Sequence, residues 1–399
     1  MRILYVTPGY KPAYRLGGPI VSVSAAAEWL VRKGHEVTVV TTNANLDEDL
    51  DVPCNCPVDI EGVEVWYLRR QEPLKKWLPF VPYLSHSMGY TYAPEMRTTL
   101  DRLMPFHDVV DTQAPFVYPT LAAAHAARRH RTPLFYHQRG DYLNPHRRRR
   151  RLKKAVYISL FEKPIMRHAT ALIALTAAER EAFAVVAPQT RCEIVPNGVE
   201  VPPLDRAAAA RVEARYAIPR EALVILFLGR LHPWKGVDEL MSAFALVQRE
   251  FPAAYLIMAG PDECDAVRRW QPVAARAGFA ARLIFPGIVT GSAKADLLQR
   301  ANLFSLPSQG EGLSMAMLEA LAHATAVLLS PGCHFAEAEQ VGAGVTAAKH
   351  PDALACALRA LLRDPIRLDE MGQAGRCLVR REYSWDVVTE RLLEVYNQR

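Results

Sequence analysis

Short β-branched apolar runs alternate along this 399-residue chain with stretches whose apolar residues recur at helical spacing. That rhythm predicts an α/β protein built on parallel sheets. In the first half, Arg2–Thr7 reads as a strand, Val21–Lys33 as a helix closed by Gly34-His35, and Glu36–Thr42 as a second buried strand. Val63–Leu68, His107–Thr112, Pro133–His137 and Thr170–Thr176 read as further strands, with Leu121–His130 and Ala177–Val186 as helices between them. Val195-Pro196-Asn197-Gly198-Val199-Glu200-Val201-Pro202-Pro203 is dense in turn-forming and stiffening residues and reads as a linker.

Beyond the linker the rhythm restarts. Leu223–Gly229, Ala254–Gly260, Arg282–Pro286, Leu303–Pro307 and Ala326–Ser330 are the expected strands, the last of these closing the set. Val237–Glu250, Val267–Ala277, Ser292–Gln299, Met315–His323, Leu354–Arg363 and Trp385–Asn397 are the expected helices. Two consecutive units of this kind imply a cleft where nucleotide-type ligands lie at the carboxyl ends of the strands. The pattern divides the chain into residues 1–195, 196–382 and a closing helix, 383–399.

Charge adds an asymmetry. Residues 1–200 hold 26 Lys+Arg against 20 Asp+Glu, whereas the remainder balances at 22 against 22. The first half is therefore the one suited to an anionic partner. The opening apolar run is too short for the core of a signal peptide, and no run approaches the ~20 residues of a membrane helix. A cytoplasmic protein is expected. Seven scattered cysteines fit reduced thiols, and the Cys54-x-Cys56 pair has no second pair at zinc-site spacing.

Two constellations carry chemistry. Gly229-Arg230-Leu231-His232-Pro233-Trp234-Lys235-Gly236 follows an apolar strand and opens a helix. Arg230 as a planar fork and Lys235 as a point charge can clamp a diphosphate, and the helix can add its amino-terminal amides. Two solvated cations in a surface loop would carry the same letters. The second constellation, Pro307-Ser308-Gln309-Gly310-Glu311-Gly312-Leu313-Ser314-Met315-Ala316-Met317-Leu318-Glu319-Ala320, decides between them. Glu311 lies in a loop between strand and helix, and Glu319 falls inside an apolar helical run, where a carboxylate is costly without a partner. Ribose hydroxyls would supply two donors, and a salt bridge at the helix edge is the alternative. Gly312 admits close approach of backbone amides to a phosphate or a sugar.

Here the chain resembles the donor domain of family 4 glycosyltransferases, which have the GT-B fold of two facing Rossmann-like domains with parallel sheets. The matching pieces are Gly229-Arg230…Lys235-Gly236, Ala259-Gly260-Pro261-Asp262, Phe285-Pro286-Gly287-Ile288-Val289 and the E-x7-E pair Glu311 and Glu319. Tyr383-Ser384-Trp385-Asp386…Tyr396 resembles the family's terminal helix, which crosses back onto the first domain. The resemblance is strong from about Ile194 onward and looser before it. It implies that Arg230 and Lys235 hold the donor's diphosphate and stabilise the leaving group. It also implies that Glu319 binds the ribose, Glu311 the transferred sugar, and the backbone of Ile288 the base, with Gly229, Gly312, Leu313 and Ser314 lining the donor. The family is retaining and generally needs no metal, its cations standing in for a divalent ion. The expected co-substrate is a UDP- or GDP-sugar, with no tightly bound cofactor. Two departures stand out: after the E-x7-E helix, where the family usually has Gly then Pro, this chain has His323-Ala324-Thr325-Ala326, and Asn302 replaces the commoner Asp.

The first half resembles the family in Pro8-Gly9-Tyr10-Lys11-Pro12…Gly17-Gly18-Pro19-Ile20, a glycine loop that approaches the donor phosphates; a plain surface turn is the alternative. His137, at a strand end, matches a His that faces the donor sugar. Arg139-Gly140 resembles an Arg-Gly pair of a bacterial subset, and Asp141 is a candidate for the acceptor. Arg147-Arg148-Arg149-Arg150-Arg151-Leu152-Lys153-Lys154 and Trp77-Leu78-Pro79-Phe80 suggest docking on an anionic membrane, through Trp77, Phe80, Arg148, Arg149 and Lys153. A solvated helix face is the alternative, and no nucleic-acid motif accompanies the run. The expected function is transfer of a hexose to a glycan or polyprenyl-diphosphate-linked acceptor on the inner membrane face. A nucleotide-sugar 2-epimerase and a non-catalytic sugar-nucleotide or polyanion binder are the competing expectations. Oligomeric state is not legible.

Overall fold

The computed structural model describes residues 1–46, 48–71, 91–139 and 156–398. Trp77, Phe80, Asp141, Arg148, Arg149 and Lys153, with the basic and aromatic runs that contain most of them, lie outside these residues. The chain divides into two compact units: residues 1–198 with 385–399, and residues 199–384.

Among the described residues the first unit has an eight-stranded sheet. Its strands are β1 (Arg2–Val6), β2 (Glu36–Thr42), β3 (Pro57–Ile60), β4 (Val63–Leu68), β5 (Val109–Thr112), β6 (Leu134–His137), β7 (Ala171–Ala174) and β8 (Cys192–Ile194). They lie in the order β8-β7-β6-β5-β1-β2-β4-β3. All neighbours are parallel except the edge pair β3–β4, which is antiparallel and was not expected from the sequence. β1 shows why the sheet needs cover on both faces. Ile3 and Tyr5 enter one buried cluster and Leu4 and Val6 the other, as side-chain alternation requires. The helix Trp385–Asn397 closes the Ile3–Tyr5 side with Trp385, Val388, Leu392, Val395 and Tyr396. Each such side chain contributes about 1.5–3 kcal/mol. Lys33 anchors the same helix to Glu390 at 3.0 Å, and Arg191 donates to the carbonyl of Gln398 at 3.1 Å.

The second unit has six parallel strands. They are β9 (Leu223–Leu228), β10 (Ala254–Ala259), β11 (Leu283–Gly287), β12 (Leu303–Leu306), β13 (Ala326–Leu329) and β14 (Gly344–Thr346). Their order is β11-β10-β9-β12-β13-β14. Counted within the unit this is 3-2-1-4-5-6, the order of a dinucleotide-binding Rossmann fold. The strand expected to close the set, β13, is followed by β14 at the edge. Helices beyond the expected ones cover the unit, among them Ala208–Tyr216 and Pro365–Glu382. No described helix is long and apolar enough to cross a membrane.

Candidate active site

In a sheet of order 3-2-1-4-5-6 the chain leaves the first and fourth strands in opposite directions, and their carboxyl ends open a crevice. In the second unit those strands are β9 and β12. The loops that leave them are Gly229–Gly236 and Pro307–Ser314, the two constellations singled out from the sequence.

These loops are stitched together. The Gln309 N–H donates to the Trp234 carbonyl at 2.9 Å, and the Trp234 indole donates to the Gly310 carbonyl at 3.4 Å. Gly236 has φ +77°, and a Cβ there would land on the Pro307 carbonyl, so only glycine lets the loops meet. Gly260 (φ +138°) at the end of β10 is crowded in the same way by the Gly229 carbonyl. The Asp262 carboxylate then accepts from the amides of Cys264, Ala266 and Val267. Burial tends to raise its pKa, but those three amides outweigh it and lower the value. Asp262 thereby fixes the entry to helix Ala266–Ala277.

On this frame each candidate charge has a counterion. Lys235 Nζ donates to both oxygens of Glu311, at 2.6 and 2.8 Å. Arg230, 61% exposed, stands 3.3 Å from Glu263. Glu319 accepts from Lys294 Nζ at 2.8 Å through Oε1. The helix-edge salt bridge is thus present, on one oxygen. Ser314 caps helix Met315–Ala322 by accepting from the Met317 N–H at 3.3 Å, and Leu313 is buried beside it. Gly312 precedes them in the loop. Ile288 is 71% exposed just past the end of β11. The helix after Lys235 starts with Asp238 and Glu239, which pair with Arg269 and Lys349. Its amino terminus therefore already holds two ion-paired carboxylates beside the amides expected to meet a phosphate.

In the first unit the corresponding strand ends are those of β1 and β5. Gly17 and Gly18 are exposed where helix Gly18–Arg32 begins, beyond β1, with open space where a Cβ would project. No acidic residue occupies that helix's first turn, which suits approach of a phosphate. His137 ends β6 and is 2% exposed. Burial, reinforced by the positive charge of Arg139 and opposed by Asp111, lowers its pKa to about 4. It is therefore neutral at pH 7. Its Nδ1 lies 3.6 Å from Asp111, too long for a hydrogen bond. Asp111 itself accepts from the hydroxyl of Tyr396 on the terminal helix. Arg139, in left-handed conformation (φ +50°), directs its guanidinium inward, to Gln113 Oε1 at 2.9 and 2.6 Å and to Asn197 Oδ1 at 2.5 Å.

Sequence reasoning had not selected Glu263, Lys294, Asp111, Gln113 or Tyr396 for these roles. Asp111 alone carried a local signal, an acidic residue inside the strand Val109–Thr112. The others are partners that only the fold brings near.

The family model described as glycosyl transferases group 1 matches residues 210–377, and that of a glycosyl transferase 4-like domain matches residues 17–198. A phosphatidyl-myo-inositol mannosyltransferase of Mycobacterium tuberculosis (strain CDC 1551 / Oshkosh) is 33% identical over 211 residues, 51% of this chain and 53% of that protein. A D-inositol 3-phosphate glycosyltransferase of Kineococcus radiotolerans is 30% identical over 277 residues, 59% of each. The chain thus spans little more than half the length of the curated relatives it matches. Among solved structures, Anabaena Alr3699/HepE in complex with UDP is similar over 100% of both chains, with a TM-score of 0.76 at 16% identity. Sucrose-phosphate synthase from Thermosynechococcus elongatus is similar over 100% of this chain and 98% of its own, with a TM-score of 0.72 at 19% identity.

Proposed function

The chain belongs to the group 1 glycosyl transferases, of the family 4 kind with the GT-B fold, and we propose that it is a retaining, metal-independent hexosyltransferase. Its donor would be a UDP- or GDP-sugar and its acceptor a hydroxyl of a glycan or lipid-linked glycan. The observation that carries this reading is the placement of Lys235 and Glu311, ion-paired, at the crevice between β9 and β12.

A Lys–Glu pair of this kind can exchange partners. A donor diphosphate takes over Lys235 and Arg230, and the released Glu311 turns to hydroxyls of the sugar. Glu319 takes the ribose, and the exposed position of Ile288 suits a base. Gly17 and Gly18 are assigned to phosphate, with Gly229, Gly312, Leu313 and Ser314 shaping the donor's surroundings. His137, neutral at pH 7, is assigned to a substrate hydroxyl as a hydrogen-bonding group. In a front-face displacement the bond from the anomeric carbon to the diphosphate oxygen breaks as the acceptor oxygen attacks the same face. The acceptor proton passes to the departing diphosphate. Arg230 and Lys235 stabilise the charge that develops there, the role a divalent ion has in other transferases.

Two relatives are named for inositol-bearing substrates, so phosphatidylinositol and inositol phosphate join polyprenyl-diphosphate glycans as acceptors to try. The basic run Arg147–Lys154 supports assigning it a peripheral place on the inner membrane face. The test is incubation with UDP-glucose, UDP-galactose, UDP-N-acetylglucosamine and GDP-mannose with these acceptors, following the product anomer by NMR. An α-linked product from an α-linked donor supports the reading. An inverted product, or epimerised donor without transfer, overturns it.

A further inference from the structure

The two carboxylates of the E-x7-E pair are held differently. Glu311 is saturated, with Lys235 on both of its oxygens. Glu319 is held on Oε1 alone, by Lys294 at 2.8 Å, and its Oε2 has no partner among the described residues. Lys294 stands on helix Gly291–Arg300, which follows Ile288 at the carboxyl end of β11.

Stability gives no reason for a lysine here. Residue 294 falls near the amino terminus of its helix, whose positive end disfavours a cation by about 0.3–1 kcal/mol. The ion pair with Glu319 is partly exposed, 33% and 17% for the two side chains, and such pairs return only about 0–1 kcal/mol. The two effects nearly cancel. What the pair does achieve is geometric. Glu319 sits in a helix whose Met317, Leu318, Ala320 and Leu321 are buried, so the backbone beneath it is fixed. An ammonium on one oxygen then fixes the carboxylate's remaining rotation and presents the other oxygen outward. Its three donors also leave Nζ free to bond elsewhere.

We propose that Lys294 is a positioning residue for the donor's ribose: it holds Oε1 of Glu319 and presents Oε2, pre-oriented, to the vicinal hydroxyls beside the base. The proposal rests on the reading of Glu319 as the ribose-binding carboxylate. Preorganisation of this kind raises affinity by removing the cost of ordering a side chain on binding. Its effect is confined to ligands that carry the hydroxyls.

The test is calorimetric titration of the full chain with UDP and GDP and with their 2′,3′-dideoxy counterparts, for the native protein, Lys294→Met and Lys294→Arg. For the native protein the better-bound ribonucleotide should exceed its dideoxy form by tenfold or more, roughly the worth of a hydrogen bond to a charged group. In Lys294→Met, affinity for that ribonucleotide should fall about five- to tenfold with the dideoxy form unchanged, and Lys294→Arg should recover most of the loss. Overlapping melting curves of the free proteins establish that both variants fold. A native preference that survives Lys294→Met overturns the role of Lys294 while leaving Glu319 as the ribose ligand. Equal loss for both forms also overturns it, placing the lysine on phosphate or base. Equal binding of ribo and dideoxy forms by the native protein overturns the ribose reading itself.

Discussion

The carboxyl ends of the strands in the two units carry similar residue types in opposite conditions. In the second unit Arg230, Lys235, Glu311, Lys294 and Glu319 are at least partly exposed and matched in pairs with single partners. In the first unit Asp111, His137 and Tyr396 are almost wholly buried and turned on one another, while Arg139 is directed to Gln113 and Asn197. The pairs of the second unit can be exchanged for a ligand at little cost, because each partner remains near water when released. In the first unit Tyr396 and Arg139 cannot turn away without stranding a buried acceptor, whereas His137 donates to none of these groups. One set is built to swap partners, the other to hold position.

The sharpest way to break this contrast is Lys235→Ala. If the second unit's charges exist for exchange, transfer should fall about 10²–10³-fold in kcat/KM, while urea unfolding stays near the native midpoint. Equal damage to stability would make Lys235–Glu311 a structural pair after all. Next in size is a pH effect on the first unit. Folding lowers the His137 pKa from 6.5 to about 4, so between those values the unfolded chain binds a proton that the folded chain refuses. The stability at issue is intact above about pH 6.5, is lost as pH falls, and is fully lost below about pH 4, a total of about 3 kcal/mol. His35, His107 and His323 are shifted in the same direction and add to the slope. In His137→Asn, the pH dependence of unfolding over that window should flatten by one proton's share. An unchanged slope would mean that the ring is protonated in the fold.

Tyr396→Phe probes the same buried group more gently. Removing the hydroxyl takes from the Asp111 carboxylate its only hydrogen bond among the described residues, at a cost of about 1–3 kcal/mol read from urea unfolding. Donor affinity should not move. A change in affinity at constant stability would assign the first unit's cluster to exchange as well, and the contrast would collapse.

How much of this was legible follows from where each signal lay. Glu36–Thr42, Val63–Leu68, Ala177–Val186 and Trp385–Asn397 coincide with their expected spans because their apolar periodicity and flanking turn residues are local. Pro365–Glu382 was missed because charge dominates it. It packs through Leu368, Met371, Leu378 and Val379 with Gly372 and Gly375 between them, facing the Ala324 carbonyl and Leu321, so its apolar period is interrupted. β3 and β14 are edge strands of four and three residues, too short and too exposed to leave an apolar period, although each pairs with the strand just before or after it. The same division applies to the site. Arg230, Lys235, Glu311 and Glu319 were legible as motifs, whereas the partners Glu263 and Lys294 come from other loops and helices. Asn302, a departure from the family, keeps a role: its Oδ1 accepts from the Val224 N–H at 2.9 Å, as an Asp there would.

The smallest predicted effect concerns the other departure, His323-Ala324. Ala324 takes the left-handed conformation (φ +61°) just past helix Met315–Ala322. Its N–H donates to Leu321 and that of Thr325 to Ala320, both at 3.0 Å, the paired bonds of a Schellman turn. Glycine is the usual occupant, since an L side chain in this conformation costs about 1–2 kcal/mol. Part of that cost is offset because glycine gives the unfolded chain more freedom. Ala324→Gly should therefore raise stability by about 0.5–1 kcal/mol in urea unfolding. The carboxylate of Glu319 is fixed by its helix and by Lys294, upstream of the turn, so affinity for UDP or GDP should stay the same. If affinity instead rises with stability, the strained turn had been tilting Glu319. The exchangeable site of the second unit would then owe its geometry to the helix end as well as to its ion pairs.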